Sequence, residues 1–405
     1  MPAPLVYTAK RSGSFVLPDN QPSSPFALCD EWGFLCACVS PVASAANLGS
    51  VLTTKLDWER LLQLAEGHGV QVILARHLAE SKFDGVPRDI REKFQHRIRM
   101  QQLFSLGMTA ELFRIIQAFS AARIDTFLVK GPITSLLAYN DPAARTYVDL
   151  DLLIRQRDSY KASRCMLALG FQSDISEFAM RAKKIPGEYL FQKPSNNCTV
   201  ELHTENTFRY YPKPMRIEEL FTRKRMLLLD GREIPALSLH DELVLNCIHG
   251  AKHFWERLMW VSDVAAIVAK HPEIKWDEAR HAAAEVGASR ILRVGVQVGA
   301  MLFGMDLPVA LAEEIRIDPA SESLCRQILG WLPYAGSAPP PLPKRAMFRL
   351  RMAGGGITGA AYLTRLSLSP TQEDWERGNE ERRSWLWDAV RRPFRLLRKY
   401  GSPSE

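Results

Sequence analysis

Between Ile90 and Ala122 apolar residues recur at helical spacing. Leu112, Ile115, Ile116 and Phe119 stand at i, i+3, i+4 and i+7, the stripe of an amphipathic helix. Upstream, Leu61, Leu62, Leu64 and Ala65 and then Val70 to Leu78 predict two short helices separated by Gly67-His68-Gly69. The period then changes. Thr126-Phe127-Leu128-Val129 predicts a short apolar strand that stops at Lys130-Gly131. Pro132 suits the first turn of a helix, and Ile133, Leu136 and Leu137 supply its buried face. Tyr147 to Ile154 reads as a strand, with Tyr147, Asp149, Asp151 and Leu153 on one face and Val148, Leu150, Leu152 and Ile154 on the other. A helix over 159–169 ends at Gly170. Strands at Tyr189-Leu190-Phe191 and Cys198 to His203 flank the turn residues Pro194 to Asn197.

This order predicts an α+β protein: a small mixed β-sheet core over 123–235, flanked by helices on both sides. Residues 1–50 lack a sustained period and read as an irregular extension. Residues 51–122 form an N-terminal helical region. Ser238-Leu239-His240-Asp241 is a capping-box type start for a helical domain over 236–335. Residues 336–405 hold a Pro-rich linker, Pro339 to Pro343, and a basic aromatic C-terminal segment with a flexible Gly354-Gly355-Gly356.

Composition changes little in this picture. The 405 residues suffice for two or three domains, and 46% hydrophobic with 24% charged residues is ordinary for a globular protein. No apolar run is long enough for a membrane span, and the first twenty residues lack a signal-peptide core. Seven cysteines without a second pair near Cys36-x-Cys38 read as reduced thiols of a cytoplasmic protein. The net charge of +7 is compatible with an anionic ligand or with an Arg-rich surface.

The candidate chemistry lies in LVKGPITSLLAYNDPAARTYVDLDLLI, residues 128–154. Asp149 and Asp151 share one face of an apolar strand, where paired acids are costly unless a cation sits between them; a divalent metal is the simplest choice. Glu201 lies on a same-face position of a later strand. Neighbouring strands are ~5 Å apart, so the three carboxylates can reach shared Mg2+ or Mn2+ ions. Such a site serves phosphoryl or nucleotidyl transfer, one metal activating a hydroxyl and the other holding the triphosphate. Lys130 and the N–H groups after Gly131, at a helix N-terminus, would cradle phosphates. The alternative is a structural domain with solvated edge acids.

The order Gly, helix, D-x-D strand and later acid resembles the polymerase β-like nucleotidyltransferase superfamily. More narrowly, the chain resembles a bacterial family of uncharacterised nucleotidyltransferases, in which Lys-Gly stands where other members have Gly-Ser. The similarity covers roughly residues 55–300 and is carried by the stretch above, by Val200-Glu201-Leu202-His203 and by HGAKHFWERLMWVSDVA at 249–265. The resemblance implies metal-dependent transfer of a nucleoside monophosphate from a nucleoside triphosphate to an acceptor hydroxyl on a small molecule, sugar or peptide. Asp149 and Asp151 would be metal ligands and Glu201 the third carboxylate. Pro132 removes the hydroxyl contact to phosphate, for which Lys130 compensates electrostatically.

Other residues carry alternative readings. Arg145 binds the triphosphate and orients the acids, or pairs structurally with them. His203 is an acceptor-side base, an outer partner of the acids, or a packing residue at the domain seam. His249-x-x-x-His253 has zinc-protease spacing, but Gly250 stands where the general-base Glu belongs. The favoured reading places His249 and Lys252 toward the nucleotide or acceptor pocket, with Trp255, Leu258 and Val261 packed behind. Alternatively His249 and Asp263 are buried and paired. Arg391 to Lys399, interleaved with Phe394, Leu396 and Leu397, read as a helix packing its aromatic face, with anionic membrane contact as the alternative; nucleic acid is not an expected partner. A metal-dependent glycosyltransferase using a nucleotide-sugar and an inert nucleotide-binding module are the rivals; helices where a glycosyltransferase needs sheet count against the first.

Overall fold

The computed structural model describes residues 30–42, 56–173, 175, 188–205, 210–213, 216–334 and 342–368. Most of the 1–50 extension, residues 339–341 of the proline run and the basic segment after residue 368 lie outside the described residues. One correction falls inside them. Asp30–Val39 is a helix, α1, with Trp32, Phe34, Leu35 and Val39 buried. Its sequence, DEWGFLCACV, is apolar on nearly every side, so it has no stripe for a periodicity argument to find.

Helices α2 (Trp58–Gly67), α3 (Gln71–Glu80) and α4 (Arg88–Ala121) follow, as the apolar spacing predicts. Leu112, Ile115 and Phe119 of α4 are fully buried and Ile116 packs partly buried beside them. Then come β1 (Thr126–Val129), α5 (Gly131–Tyr139), β2 (Leu150–Ile154), α6 (Ser159–Ala168), β3 (Glu188–Lys193) and β4 (Cys198–His203). The β2 strand is shorter than the alternation suggested. Tyr147, Val148 and Asp149 lie in the bend before it. The Lys130-Gly131 turn packs there: a Cβ on Gly131 would lie 3.6 Å from the Asp149 carbonyl and 3.7 Å from the Tyr147 ring.

A short helix, α7 (Ile217–Thr222), leads to a hairpin of β5 (Arg225–Leu229) and β6 (Arg232–Ala236) that the apolar pattern did not single out. The turn is Asp230-Gly231, both with positive φ, a sequence signal for a tight hairpin. Met226 and Leu228 of β5 face solvent, so the strand lacks clean alternation.

The six strands form one mixed sheet in the order β3-β4-β2-β1-β6-β5. β1 runs antiparallel to β2 and parallel to β6, while β2 and β4 are parallel. The architecture is α+β, as expected. One sheet face carries the apolar core: Leu128, Leu150, Leu152, Val200, Leu202, Tyr189 and Phe191 are fully buried. The opposite face carries Val129, Asp151, Glu201 and His203.

The helical remainder begins with α8 (Leu239–Lys252) and α9 (Leu258–Lys270). Ser238 caps α8, its hydroxyl accepting the Asp241 N–H at 3.1 Å. Then follow α10 (Trp276–Glu285), α11 (Ser289–Phe303), α12 (Val309–Arg316), α13 (Pro319–Trp331), α14 (Leu342–Met352) and α15 (Gly356–Leu368). α9 packs on α5, the helix that follows the Lys130-Gly131 turn. Among the described residues no helix is long and apolar enough to cross a membrane. The six cysteines among them are free.

Candidate metal centre and nucleotide site

The register of the parallel pair β2–β4 sets Asp151 beside Glu201 and Leu153 beside His203. Because side chains alternate, Asp151, Glu201 and His203 emerge on one face. Their ligand atoms lie within 4.8 Å of one another. His203 bridges the acids, with Nε2 2.6 Å from Asp151 Oδ1 and 3.2 Å from Glu201 Oε2. Lys130 reaches the same oxygen from the turn after β1, its Nζ donating to Asp151 Oδ1 at 2.7 Å.

The charges are mutually dependent. Burial alone would raise the Asp151 carboxyl, but the Lys130 ammonium and the His203 imidazole outweigh it and hold it well below the usual range. Burial would likewise raise Glu201, and its bond from His203 lowers it. Burial would lower His203, yet the bonds to both acids push it up to about 9. Its Nε2 lies between the two carboxylates, within hydrogen-bonding distance of both. Asp149 is half-buried at the mouth, outside the 4.8 Å group. Burial, then the like charges of Asp151 and Glu201, push its carboxyl up to about 6. The three acids therefore share one field, with Asp149 the loosest member.

Gly131 has φ +37° and Lys130 φ +54°. The phosphate cradle is narrower than the sequence implied. Pro132 has no N–H, and the Ile133 and Thr134 N–H groups both donate to the Lys130 carbonyl, at 2.8 and 3.2 Å. The Lys130 N–H itself goes to Glu242 Oε1 at 3.1 Å. The N–H groups of Lys130, Ile133 and Thr134 are therefore all engaged within the protein.

Arg145 departs from its favoured reading as a phosphate-binding group. It is buried, and its Nε donates to Asp263 Oδ2 at 2.6 Å rather than to Asp149 or Asp151. Tyr139 donates to the other Asp263 oxygen at 2.9 Å. Burial would lower the guanidinium, and the Asp263 carboxylate keeps it charged. The reason is topological. The bend before β2 turns Arg145 back under α5, where α9 presents Asp263.

His249 and Lys252 lie on α8 as expected, and Trp255, Leu258 and Val261 are fully buried behind them. His249, His253 and Trp260 form a ring cluster, with His253 stacked on Trp260 at 4.9 Å. His249 is paired with these rings and not with Asp263. Burial lowers both imidazoles, and nearby cations lower them further. Lys130, Lys252 and Arg145 act on His249. Lys252, Lys130, Arg257 and Arg349 act on His253, which falls to about 3. Both histidines thus sit in a field to which several cations contribute.

Residues 54–304 match a family described as uncharacterised nucleotidyltransferases. The chain belongs to that family. A solved structure of an antigenic nucleotidyltransferase-like protein from Paracoccidioides brasiliensis is similar at 16% identity, over 53% of this chain and 96% of that one, with a TM-score of 0.30. No curated protein matches the chain.

One residue of this nucleotidyltransferase family member escaped the sequence reading. Glu242 is fully buried and holds the Lys130 turn from α8. A signal existed: Leu239, Glu242, Leu243 and Asn246 stand at i, i+3, i+4 and i+7, so an acid and an amide occupy the buried stripe of α8.

Proposed function

We propose that the protein transfers a nucleoside monophosphate from a nucleoside triphosphate to an acceptor hydroxyl, with the polymerase β-like arrangement of the active centre. The observation that carries this reading is the β2–β4 register, which sets Asp151 and Glu201 side by side next to the Lys130-Gly131 turn.

The donor set fits a hard divalent cation. Asp149, Asp151 and Glu201 offer carboxylate oxygens, the ligands that Mg2+ and Mn2+ prefer. The two protonated side chains on Asp151 Oδ1 mark a place where positive charge is electrostatically demanded. Held by Asp149, Asp151 and Glu201, such a cation would neutralise the triphosphate and acidify the acceptor hydroxyl. Lys130, on the rim of the acids, places its ammonium against the phosphates. The cationic surroundings of His249 and His253, to which Lys252 contributes, favour a polyanion on that side. His203 holds Asp151 and Glu201 at fixed separation. Arg145 acts through Asp263 and fixes the loop that carries Asp149.

The glycosyltransferase alternative gains nothing from the fold: helices α1 to α4 precede the motif, where a large nucleotide-binding sheet would stand. The test uses nucleoside triphosphates labelled at the α-phosphate, with Mg2+. Wild type is expected to show Mg2+-dependent binding and transfer of label, and Asp149→Asn/Asp151→Asn to lose both. Metal-dependent binding that survives the double substitution would sink the reading.

A further inference from the structure

A cavity of about 520 Å3 opens on the same sheet face as the acids, a volume in the range of small-molecule sites. Val129 forms part of its floor, and Val129 is the register partner of Asp151 on the adjacent strand. The Val129 backbone therefore lies one strand spacing, ~5 Å, from that of Asp151. The wall and the acid centre also share α8. Asp241 lines the cavity, and its neighbour Glu242 holds the Lys130 turn.

The lining has two characters. Val129, Leu220 and Leu237 make an apolar floor. The wall is a closed ion-pair array. Arg223 donates Nη2 and Nε to Asp241 Oδ1 and Oδ2 at 2.8 and 3.0 Å, and Nη1 to Glu285 Oε2 at 3.1 Å. Ser238 adds its hydroxyl to Asp241 Oδ2 at 2.6 Å. At the mouth Arg216 pairs with Glu219. The lining carries three cations, Lys213, Arg216 and Arg223, and three acids, Glu219, Asp241 and Glu285, so it offers little net charge to an ionic ligand. It sets fixed polar groups beside an apolar floor. Hydroxyl groups, each both donor and acceptor, satisfy such an array, while the C–H face of a ring covers the floor.

We propose that this cavity is the acceptor site and that the acceptor is an uncharged, hydroxyl-rich ring of the hexopyranose type. The proposal rests on the nucleotidyl-transfer reading, because it supplies the hydroxyl that the reaction consumes. The transfer breaks the bond between the α-phosphorus and its bridging oxygen, forms a bond from the sugar oxygen to that phosphorus, and releases pyrophosphate. The hydroxyl proton leaves to solvent.

The test is saturation-transfer NMR with the methyl glycosides of glucose, galactose and mannose, run on the full chain. At least one should receive saturation from wild type. Ala282→Phe and Val286→Phe both fill the cavity from α10 and the residue after it. Each is expected to weaken sugar binding at least about tenfold, with Mn2+-dependent triphosphate binding retained as the control for folding. Asp149→Asn/Asp151→Asn should show the reverse, losing triphosphate and keeping sugar. No saturation transfer to any of the three glycosides overturns the proposal, as does sugar binding that both cavity-filling variants leave intact. Failure of the nucleotidyl-transfer reading is separately visible: wild type would bind the glycoside and no triphosphate, and the sugar site would stand alone.

Discussion

The backbone N–H of Lys130 donates to the Glu242 carboxylate at 3.1 Å, across 112 positions of sequence. Lys130 has φ +54° and ψ −148°, a region that is nearly glycine-only. Glu242 holds that conformation from α8, and Thr134 and Asn246 also bond to the same Oε1, each at 3.3 Å. Its second oxygen is buried without a partner among the described residues. The Lys130 ammonium reaches Asp151 only because its backbone is turned this way.

Glu242 should therefore leave a pH signature. Burial pushes its carboxyl up to about 7, from an ordinary 4.5. Below pH 4.5 both folded and unfolded states carry the proton. Between 4.5 and 7 the unfolded chain releases it and the folded chain keeps it, so stability falls as pH rises through that window and is level above it. The full span is about 3 kcal/mol. Urea denaturation at pH 5 and pH 8 should show wild type losing more stability than Glu242→Gln over this interval. Equal losses in the two proteins would remove the carboxyl as their cause.

Arg145 and Asp263 form a buried pair 2.6 Å apart. Removing one partner strands the other charge away from water. Arg145→Met is expected to cost about 3–5 kcal/mol, and Arg145→Met/Asp263→Leu to recover much of the loss. A double-mutant cycle by chemical denaturation measures the coupling. Additive single effects would mean that the pair does not act as one unit.

These two pairs show what the sequence could and could not convey. β1, β4, α5 and the acid positions were legible because each is a local pattern: an apolar run, a Pro after Gly, acids two residues apart. The partnership of Asp151 with Glu201 was legible as far as both sit on same-face strand positions. What paired with Arg145 and Lys130 was not, because Asp263 and Glu242 lie more than 100 positions away on helices whose docking no local pattern records. Its place four residues before Asp149 gives no sign that the Arg145 guanidinium pairs with Asp263. Helix α1 was missed on the opposite ground, being too uniformly apolar to show a period.

His68 ties the N-terminal helices to α9. Its Nδ1 accepts the Leu258 N–H at 3.0 Å, its carbonyl accepts the Met259 N–H at 3.2 Å, and Trp32 of α1 packs on its ring at 4.9 Å. Burial, then the charge of Arg257, lower its pKa from 6.5 to about 3. The unfolded chain takes up a proton below pH 6.5 that the folded chain refuses. The stability His68 contributes is thus complete above 6.5 and lost as pH falls toward 3, up to about 5 kcal/mol. His68→Leu should be less stable than wild type at pH 7, through the lost acceptor, and should lose less on acidification to pH 5. A steeper acid loss in the variant would contradict this assignment.

Gly250 explains why the His249-x-x-x-His253 spacing has no zinc-protease Glu. A Cβ at 250 would lie 2.6 Å from the ring of Trp255, which folds back over α8 with φ +54°. Gly295 of α11 meets the same ring, where a Cβ would lie 3.1 Å away. The indole fills the space between two glycines, so no longer side chain fits at 250. Gly250→Ala is expected to cost about 1–3 kcal/mol by overpacking, measured as a fall in melting temperature. Trp255→Leu alone should also destabilise, by leaving a cavity. Combined, the two should cost less than their sum, because the smaller side chain makes room for the added methyl. A Gly250→Ala protein as stable as wild type would show that the indole can move aside. The Lys252 and His253 positions would then not be set by this packing.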